Sequence, residues 1–246
     1  MQSPELFTGD SRFEVVSFDC YGTLIDWESG ILGALRPILT RHGAAATDAH
    51  LLRLYSEIEP ELQRGPFRSY RTILRETVVA FGSRLGFHPS QSERDALADS
   101  LPEWRPFPDT VPALRRLATR FRLGVLSNID DDLFAATARR LQVEFEFIVT
   151  ASAVGSYKPD PGHFIELLRR TGLPPARHLH AAESLFHDIA PANALGLISV
   201  WVRRSHDRQE FSASRRIPVV PAADVPDMAE LARRLAPESP PLSMLP

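Results

Sequence analysis

The feature that most restricts the fold is an alternation running through the second half of the chain. From Arg122 to Val202, short runs of β-branched and aliphatic residues are separated by segments with helical spacing. Strands are read at Arg122 to Leu126, Phe145 to Thr150, His178 to Ala182 and, as the last, Ile198 to Val202; helices are read at 131 to 141, 161 to 171 and about 188 to 195. A helical crossover returns the chain to the same end of a sheet, so strands joined this way pair in parallel and bury both faces. The expected class is α/β, a doubly wound parallel sheet. Helix-start signals agree, with Asp130 to Asp132 before one helix and Pro161 at the head of another.

A further strand is expected near the N-terminus. Residues 13 to 18, Phe-Glu-Val-Val-Ser-Phe, are rich in β-branched and aromatic side chains, stop at Asp19 and run into Tyr-Gly-Thr. Between about 28 and 103 the rhythm becomes helical, through Ile31, Leu35 and Ile38, then Leu51, Tyr55 and Ile58, then Tyr70, Leu74, Val78 and Phe81. Three or four helices without a strand are predicted there, and Pro102, Pro106 and Pro108 punctuate the return. The chain is thus expected to divide into a Rossmann-like core at 1–27 and 104–235, an all-helical insert at 28–103 and a tail at 236–246 too proline-rich to pack as an element. Trp27 and Trp104, where the chain enters and leaves the insert, are expected to pack its hinge, with lining of the cleft as the alternative.

Composition excludes several functions. The 28 basic and 31 acidic side chains leave a formal charge of -3, with no long basic run to attract nucleic acid. No stretch approaches the ~18 uninterrupted apolar residues needed to cross a bilayer, and the start lacks a signal-peptide pattern. Cys20 is the only cysteine, which excludes an internal disulfide and a cysteine zinc cluster and fits a small buried residue. The chain therefore reads as cytoplasmic, with a small-molecule substrate as partner and neither nucleic acid nor membrane. Apolar faces on the insert are compatible with a homodimer. No dinucleotide or P-loop string occurs, and no histidine pair has helical zinc spacing.

In open parallel sheets, ligands sit beyond the carboxyl ends of the strands. The residues that fall there are Asp19, then Ser127 and Asn128, then Lys158, then Glu183 and Asp188. One carboxylate, two small polar groups, one cation and two further carboxylates thus converge on one edge. A lone aspartate in that place is ordinarily a turn or cap residue. Set beside a buried lysine and shielded from water, it becomes a nucleophile able to split one displacement into two easier steps.

Four strings carry a family resemblance: "FDCYGTLID", "VLSNID", "SYKPDPGHF" and "AAESLFHD". In this order and on these elements they resemble the motifs of the haloacid dehalogenase-like hydrolase superfamily, with wording nearest to the branch of the L-2-haloacid dehalogenases. The resemblance implies a hydrolase in which Asp19 forms a covalent intermediate with a small anionic substrate. It further implies that Lys158 offsets the charge, that Ser127, Asn128 and Thr23 complete the catalytic set, and that the helical insert is a cap domain.

Two chemistries divide this superfamily, and the residues bear on both. Phosphatases resembling this chain carry a second aspartate two residues after the nucleophile, whereas Tyr21 stands here; general acid-base help is worth about 10²- to 10⁴-fold. Halide leaves without a proton, so Tyr21 favours carbon-halogen cleavage. Against that, the arginine that dehalogenases place on the cap falls at Tyr55, Ser56 or Glu57, a motif tyrosine is Phe164, and the fourth-motif serine and asparagine are Glu183 and Leu185. Charge gives an independent argument. Carboxylates at ~4 Å repel by about 4 kcal/mol at an effective dielectric near 20. A Mg²⁺ ion would relieve Asp19, Asp188 and Glu183, taking Asp19, Asp188 and the Tyr21 carbonyl directly and Glu183 through water.

Metal-assisted phosphate-ester hydrolysis is therefore the leading expectation. Metal-free 2-haloacid dehalogenation is the alternative, and a catalytically silent binding protein the third reading. Tyr21, Arg68 and Arg71 are the candidate substrate-binding residues. Arg64, Arg68, Arg71 and Arg75 form a basic stripe that either greets an anionic substrate or is simply solvated surface.

Overall fold

The computed structural model describes residues 12–204 and 217–237, so nearly all of the proline-rich tail lies outside the described residues. In chain order the elements are β1 (Val15–Phe18), α1 (Trp27–Arg41), α2 (Asp48–Leu62), α3 (Tyr70–Leu85), and the short α4 (Gln91–Arg94) and α5 (Ala96–Ser100). A 3₁₀ turn at Leu101–Glu103 leads to α6 (Thr110–Ala118), β2 (Arg122–Ser127), α7 (Asp131–Leu141), β3 (Phe147–Thr150), α8 (Ala151–Val154) and α9 (Gly162–Thr171). The chain continues with β4 (His178–Ala182), a π-helical turn at Leu185–Ile189, α10 (Ala190–Ala194), β5 (Ile198–Val202), β6 (Ala223–Val225) and α11 (Met228–Leu235).

The six strands form one parallel sheet in the order β3-β2-β1-β4-β5-β6. This is the expected doubly wound α/β architecture, and the order reverses on either side of β1. Both sheet faces are covered. Val16, Phe18 and Val125 join one core cluster with residues of α1, α2 and α3, while Val15, Leu126, Val149, Phe164 and Leu167 pack on the opposite face. The alternation follows from the two-residue period of a strand.

Two sequence readings need correction. Ile198 to Val202 is not the last strand, because β6 pairs beside it; three residues, Ala-Asp-Val, are too few to reveal a period. The helix read at about 188 to 195 is a π-helical turn followed by α10. Arg68 lies just before α3, and Arg71 and Arg75 lie on it.

Parallel register sets the chemistry-bearing row. Phe18 pairs with Val125 of β2 and Ala181 of β4, so the residues just beyond these positions emerge side by side. After Asp19 the chain turns sharply: the Cys20 carbonyl accepts from Leu24 N at 2.7 Å and Ile25 N at 3.0 Å. Gly22 takes φ +97°, a region costly for a residue with a Cβ, and donates to the Ile25 carbonyl at 2.9 Å.

The segment between β1 and β2 is fastened to the sheet by Asp130, the residue before α7. Its carboxylate accepts from the backbone N–H of Tyr70 at 2.8 Å and of Arg71 at 2.9 Å, the first-turn donors of α3 that have no partner within their own helix. Ser152 Oγ also donates to it at 2.9 Å. Nearby, the Tyr157 hydroxyl donates to the Arg68 carbonyl at 2.8 Å.

Gly30 marks the tightest approach at the hinge, since a Cβ there would lie 2.4 Å from the buried Trp104 indole. Helix propensity alone would make Gly30→Ala stabilising by about 0.5–1 kcal/mol. Overpacking costs about 1–3 kcal/mol and wins, because the indole core is not a flexible chain end. Gly30→Ala is therefore expected to lower the urea midpoint without changing the m-value; a raised midpoint would show that Trp104 moves freely.

Candidate active site

Lys158 sits at the centre of the row of strand ends, 2% exposed. Its Nζ donates to Asp19 Oδ1 at 2.9 Å, Asp188 Oδ1 at 2.6 Å and the Leu126 carbonyl at 2.8 Å, using all three of its donors. The loop bearing it is clamped by Asn128, whose Oδ1 accepts from Lys158 N at 2.7 Å and whose Nδ2 donates to the Lys158 carbonyl at 3.1 Å. Thr23 Oγ1 donates to Asp19 Oδ2 at 2.9 Å and accepts from Glu183 N at 2.9 Å, tying the first and fourth strand ends together.

The three charges shift one another. Burial works against the Lys158 charge, but Asp188 and Asp19 outweigh it and hold the ammonium above its ordinary range. Burial likewise pushes Asp19 up, more than Lys158 and Thr23 pull it down, and a carboxylate of raised basicity is a better nucleophile. Burial opposes Asp188 ionisation too, yet Lys158 and His180 bring it down to about 2. His180, in the middle of β4, reaches Asp188 Oδ1 with Nε2 at 3.1 Å and Ser17 Oγ with Nδ1 at 2.9 Å. An ionised carboxylate only accepts, so Nε2 carries the proton and Nδ1 accepts from Ser17.

A cavity of about 110 Å³ opens above this row. Asp19, Ser127, Asn128, Lys158, Glu183 and Asp188 form its floor, with Ser184 and His187 beside them; Tyr21, Trp27, Tyr55, Glu59, Pro60 and Tyr70 complete the lining. Ser127 Oγ and Asp188 Oδ2 are buried without a hydrogen-bond partner among the described residues, leaving a free donor and a free acceptor.

Tyr21 lines the cavity, but its hydroxyl bonds Thr137 Oγ1 at 2.7 Å and burial raises its pKa well above the ordinary value. Arg68 and Arg71 do not line it. Arg68 bonds Glu76 at 2.7 Å and the Leu62 carbonyl, and Arg71 pairs with Asp132 at 3.1 Å and Asp99 at 3.4 Å. The bend into α3 turns both guanidinium groups toward neighbouring acids, so neither is a substrate-binding residue here. Among the described residues lining the cavity, Lys158 is the only lysine or arginine, facing Asp19, Glu59, Glu183 and Asp188.

Glu183 lines the floor, but among the described residues no three of histidine, cysteine, aspartate or glutamate gather as an ion-binding cluster. Sequence reasoning missed His180 and Glu59. The first had a signal in the His178/His180 alternation, which puts both on one strand face; the second had none, because a glutamate on an amphipathic helix ordinarily faces water.

Residues 13–196 match the family of haloacid dehalogenase-like hydrolases. The chain belongs to that family. Similarity within it runs in two chemical directions. A glyceraldehyde 3-phosphate phosphatase of Methanopyrus kandleri is 32% identical over 103 residues, 41% of this chain and 44% of that protein, so less than half of the phosphatase is spanned. An (S)-2-haloacid dehalogenase 4A of Burkholderia cepacia is 24% identical over 201 residues, 79% of this chain and 84% of that one. A solved defluorinating L-2-haloacid dehalogenase superimposes with a TM-score of 0.77 at 25% identity, covering 96% of this chain and 98% of the other. As in this family generally, the molecule is a hydrolase built on a parallel sheet. No helix among the described residues is long and apolar enough to cross a membrane.

The Asp188 shift has a signed consequence. Its native value of about 2 lies below its ordinary 3.8. The stabilisation it contributes is thus full above the ordinary value and is lost as pH falls through about 2, where the unfolded chain binds the proton more readily. Asp188→Asn is expected to cost on the order of 3 kcal/mol at pH 7 by unbalancing a buried pair, and to flatten the acid limb of stability in urea titrations from pH 6 to 2. An unchanged acid limb would mean that Asp188 is not ionised in the native protein.

Proposed function

We propose that this hydrolase transfers the phosphoryl group of a small phosphate ester to Asp19 and then to water. The observation that carries this reading is the charge of the cavity: among the described residues that line it, four carboxyl groups meet one ammonium, with no arginine to receive a substrate carboxylate and a departing halide. A 2-haloacid would bring a further anion into that surplus without a partner for it.

A divalent cation fits the donors present. Mg²⁺ is commonly held by one or two carboxylates with waters completing its shell, and Asp188 Oδ2 is a buried acceptor without a partner. Asp19, Asp188 and the Tyr21 carbonyl would hold it, with Glu183 reached through water; when bound, it would offset the surplus charge and polarise phosphoryl oxygens.

The chain's own residues supply the rest. Asp19 is oriented from both sides, by Lys158 on Oδ1 and Thr23 on Oδ2, so each oxygen accepts one hydrogen bond and retains a lone pair, and the residue lines the cavity. Ser127 Oγ is a free donor for a phosphoryl oxygen. Asn128 is occupied on both side-chain atoms with the Lys158 backbone, so its role is to hold the lysine loop rather than to bind substrate directly.

The second reading, hydrolysis of a 2-haloacid, is favoured by Tyr21 at the second position after Asp19, by the dehalogenase relative spanning 79% of the chain, and by the likeness of fold. A paired assay separates the two. Phosphate release from p-nitrophenyl phosphate is expected with Mg²⁺ and is expected to fall to background in EDTA; halide release from 2-chloropropionate is expected at background in both. Asp19→Asn is expected to reduce phosphate release by at least about 10³-fold, the scale of losing an activated nucleophile, with far-UV circular dichroism unchanged. Metal-independent halide release would reverse the assignment.

A further inference from the structure

The phosphatase reading leaves one chemical role unfilled. An alkyl ester leaves as an alcohol only if its oxygen takes a proton, and Tyr21, at the place where superfamily phosphatases resembling this chain carry an aspartate, has its hydroxyl bonded to Thr137 at 2.7 Å. No acid is left at that position on the loop after β1. Glu183 and Asp188 share the floor with Asp19, on the side from which the nucleophile attacks.

Glu59 comes from the other wall. It lies on α2, one helical turn after Tyr55, and lines the same cavity as Asp19. Its carboxyl group is fixed rather than free: Gln63 Nε2 donates to Oε1, and the Tyr70 hydroxyl bonds it while also meeting the Tyr55 hydroxyl at 3.0 Å. Tyr70 is itself held to the sheet through its backbone N–H on Asp130. A carboxyl group on a glutamate side chain is thus anchored in register with the floor, although its helix belongs to the segment inserted between β1 and β2.

We propose that Glu59 is the general acid and base of this enzyme, taking over from the helical insert the role that the loop after β1 lacks. The proposal rests on the phosphoryl-transfer reading above. In the first step an Asp19 oxygen forms a bond to phosphorus, the phosphorus to ester-oxygen bond breaks, and its electron pair stays on that oxygen. The oxygen takes the Glu59 proton and leaves as a neutral alcohol. In the second step Glu59, now a carboxylate, takes a proton from water as the water oxygen bonds phosphorus. The bond to Asp19 breaks, returning its carboxylate and inorganic phosphate. One residue serves both steps because leaving alcohol and attacking water use the same position opposite Asp19.

Protonation of the free enzyme is consistent with the role. Burial raises Glu59 to about 7, with the Tyr70 bond pulling the other way. The groups facing it are Tyr55 on its own helix, Tyr70 on α3, and across the cavity Asp19, Lys158, Glu183, His187 and Asp188. An acid poised near neutrality donates and recovers a proton with little cost in either direction.

Leaving-group dependence tests the assignment, because p-nitrophenolate departs without a proton and an alkoxide does not. Single-turnover rates are measured for p-nitrophenyl phosphate and for a simple alkyl phosphate, with Mg²⁺, on the wild type, Glu59→Gln and Glu59→Asp. Glu59→Gln is expected to lose about 10²- to 10⁴-fold with the alkyl ester and far less with the aryl ester. With the aryl ester it should release a burst near one nitrophenol per chain and then stall, since the Asp19 phosphoryl intermediate accumulates without its base. Glu59→Asp should recover part of the alkyl rate, and the wild-type alkyl rate should fall as pH rises through about 7, a limb absent from Glu59→Gln.

Equal losses on both esters without a burst, in a variant of unchanged circular dichroism, would make Glu59 a structural residue and overturn the proposal. Turnover of neither ester by the wild type would instead overturn the phosphoryl-transfer reading on which it stands.

Discussion

A buried ammonium group held between two buried carboxylates is the interaction on which this molecule is organised. Moving each such ion out of water costs several kcal/mol even after relaxation, and the attraction repays that only when every donor and acceptor is matched. Lys158 meets the condition by spending all three donors, on Asp19, Asp188 and the Leu126 carbonyl. Three stretches far apart in sequence are thereby joined at one point. That demand explains the surrounding geometry: Asn128 grips the backbone on both sides of the lysine, His180 takes up the second claim on Asp188, and Thr23 bridges Asp19 to the backbone of Glu183. Remove the lysine and two carboxylates would face each other in a medium that screens them poorly.

The same arrangement limits what the cavity accepts. Because the lysine is fully used, it cannot also serve as the sole anchor of an incoming anion, and the remaining carboxylates push anions away. The features that relieve this are specific: an unpartnered acceptor on Asp188, an unpartnered donor on Ser127, and Glu59, which burial keeps protonated to about 7. They divide the cavity by depth. Full charge sits on the floor, where a cation or a phosphoryl group can meet it, while the upper wall carries a carboxyl group that is neutral in slightly acid solution and aromatic surface from Trp27, Tyr55 and Tyr70.

Much of this was legible in the sequence because the floor residues are attached to strands, and strands announce themselves by composition and by the helices between them. Asp19, Ser127, Lys158 and Asp188 each stand at or beyond a strand end, so a parallel sheet brings them together whatever the details of packing. β6 was not legible, since Ala-Asp-Val carries no period and pairs only because β5 offers an edge. Arg68 and Arg71 looked like substrate ligands because spacing along a chain cannot say where a helix begins. The break before α3 sends them to Glu76, Asp99 and Asp132 instead. Glu59 escaped for a related reason: which face of α2 looks into the cavity is set by contacts with Trp27 and Tyr70, and neither contact is written in periodicity.

The fastening between helical insert and sheet explains how a residue on α2 can line the same cavity as one beyond β1. Asp130 satisfies the first N–H groups of α3, and the Tyr157 hydroxyl holds the Arg68 carbonyl just before that helix. Tyr157 is the immediate neighbour of Lys158, and its ring lies 5.4 Å from Phe67 and 6.2 Å from Tyr70. The loop that delivers the lysine to the floor therefore also locates the upper wall. A shift in one is felt by the other through a single peptide unit and one hydroxyl, with no wire of intervening residues required. Two backbone hydrogen bonds to Asp130 and one to Tyr157, each worth about 1 kcal/mol net and more where a carboxylate accepts, are strong enough to set the wall's resting position. A cavity of about 110 Å³ beside them suits a small substrate, and Asp130 and Tyr157 hold the wall against which it would lie.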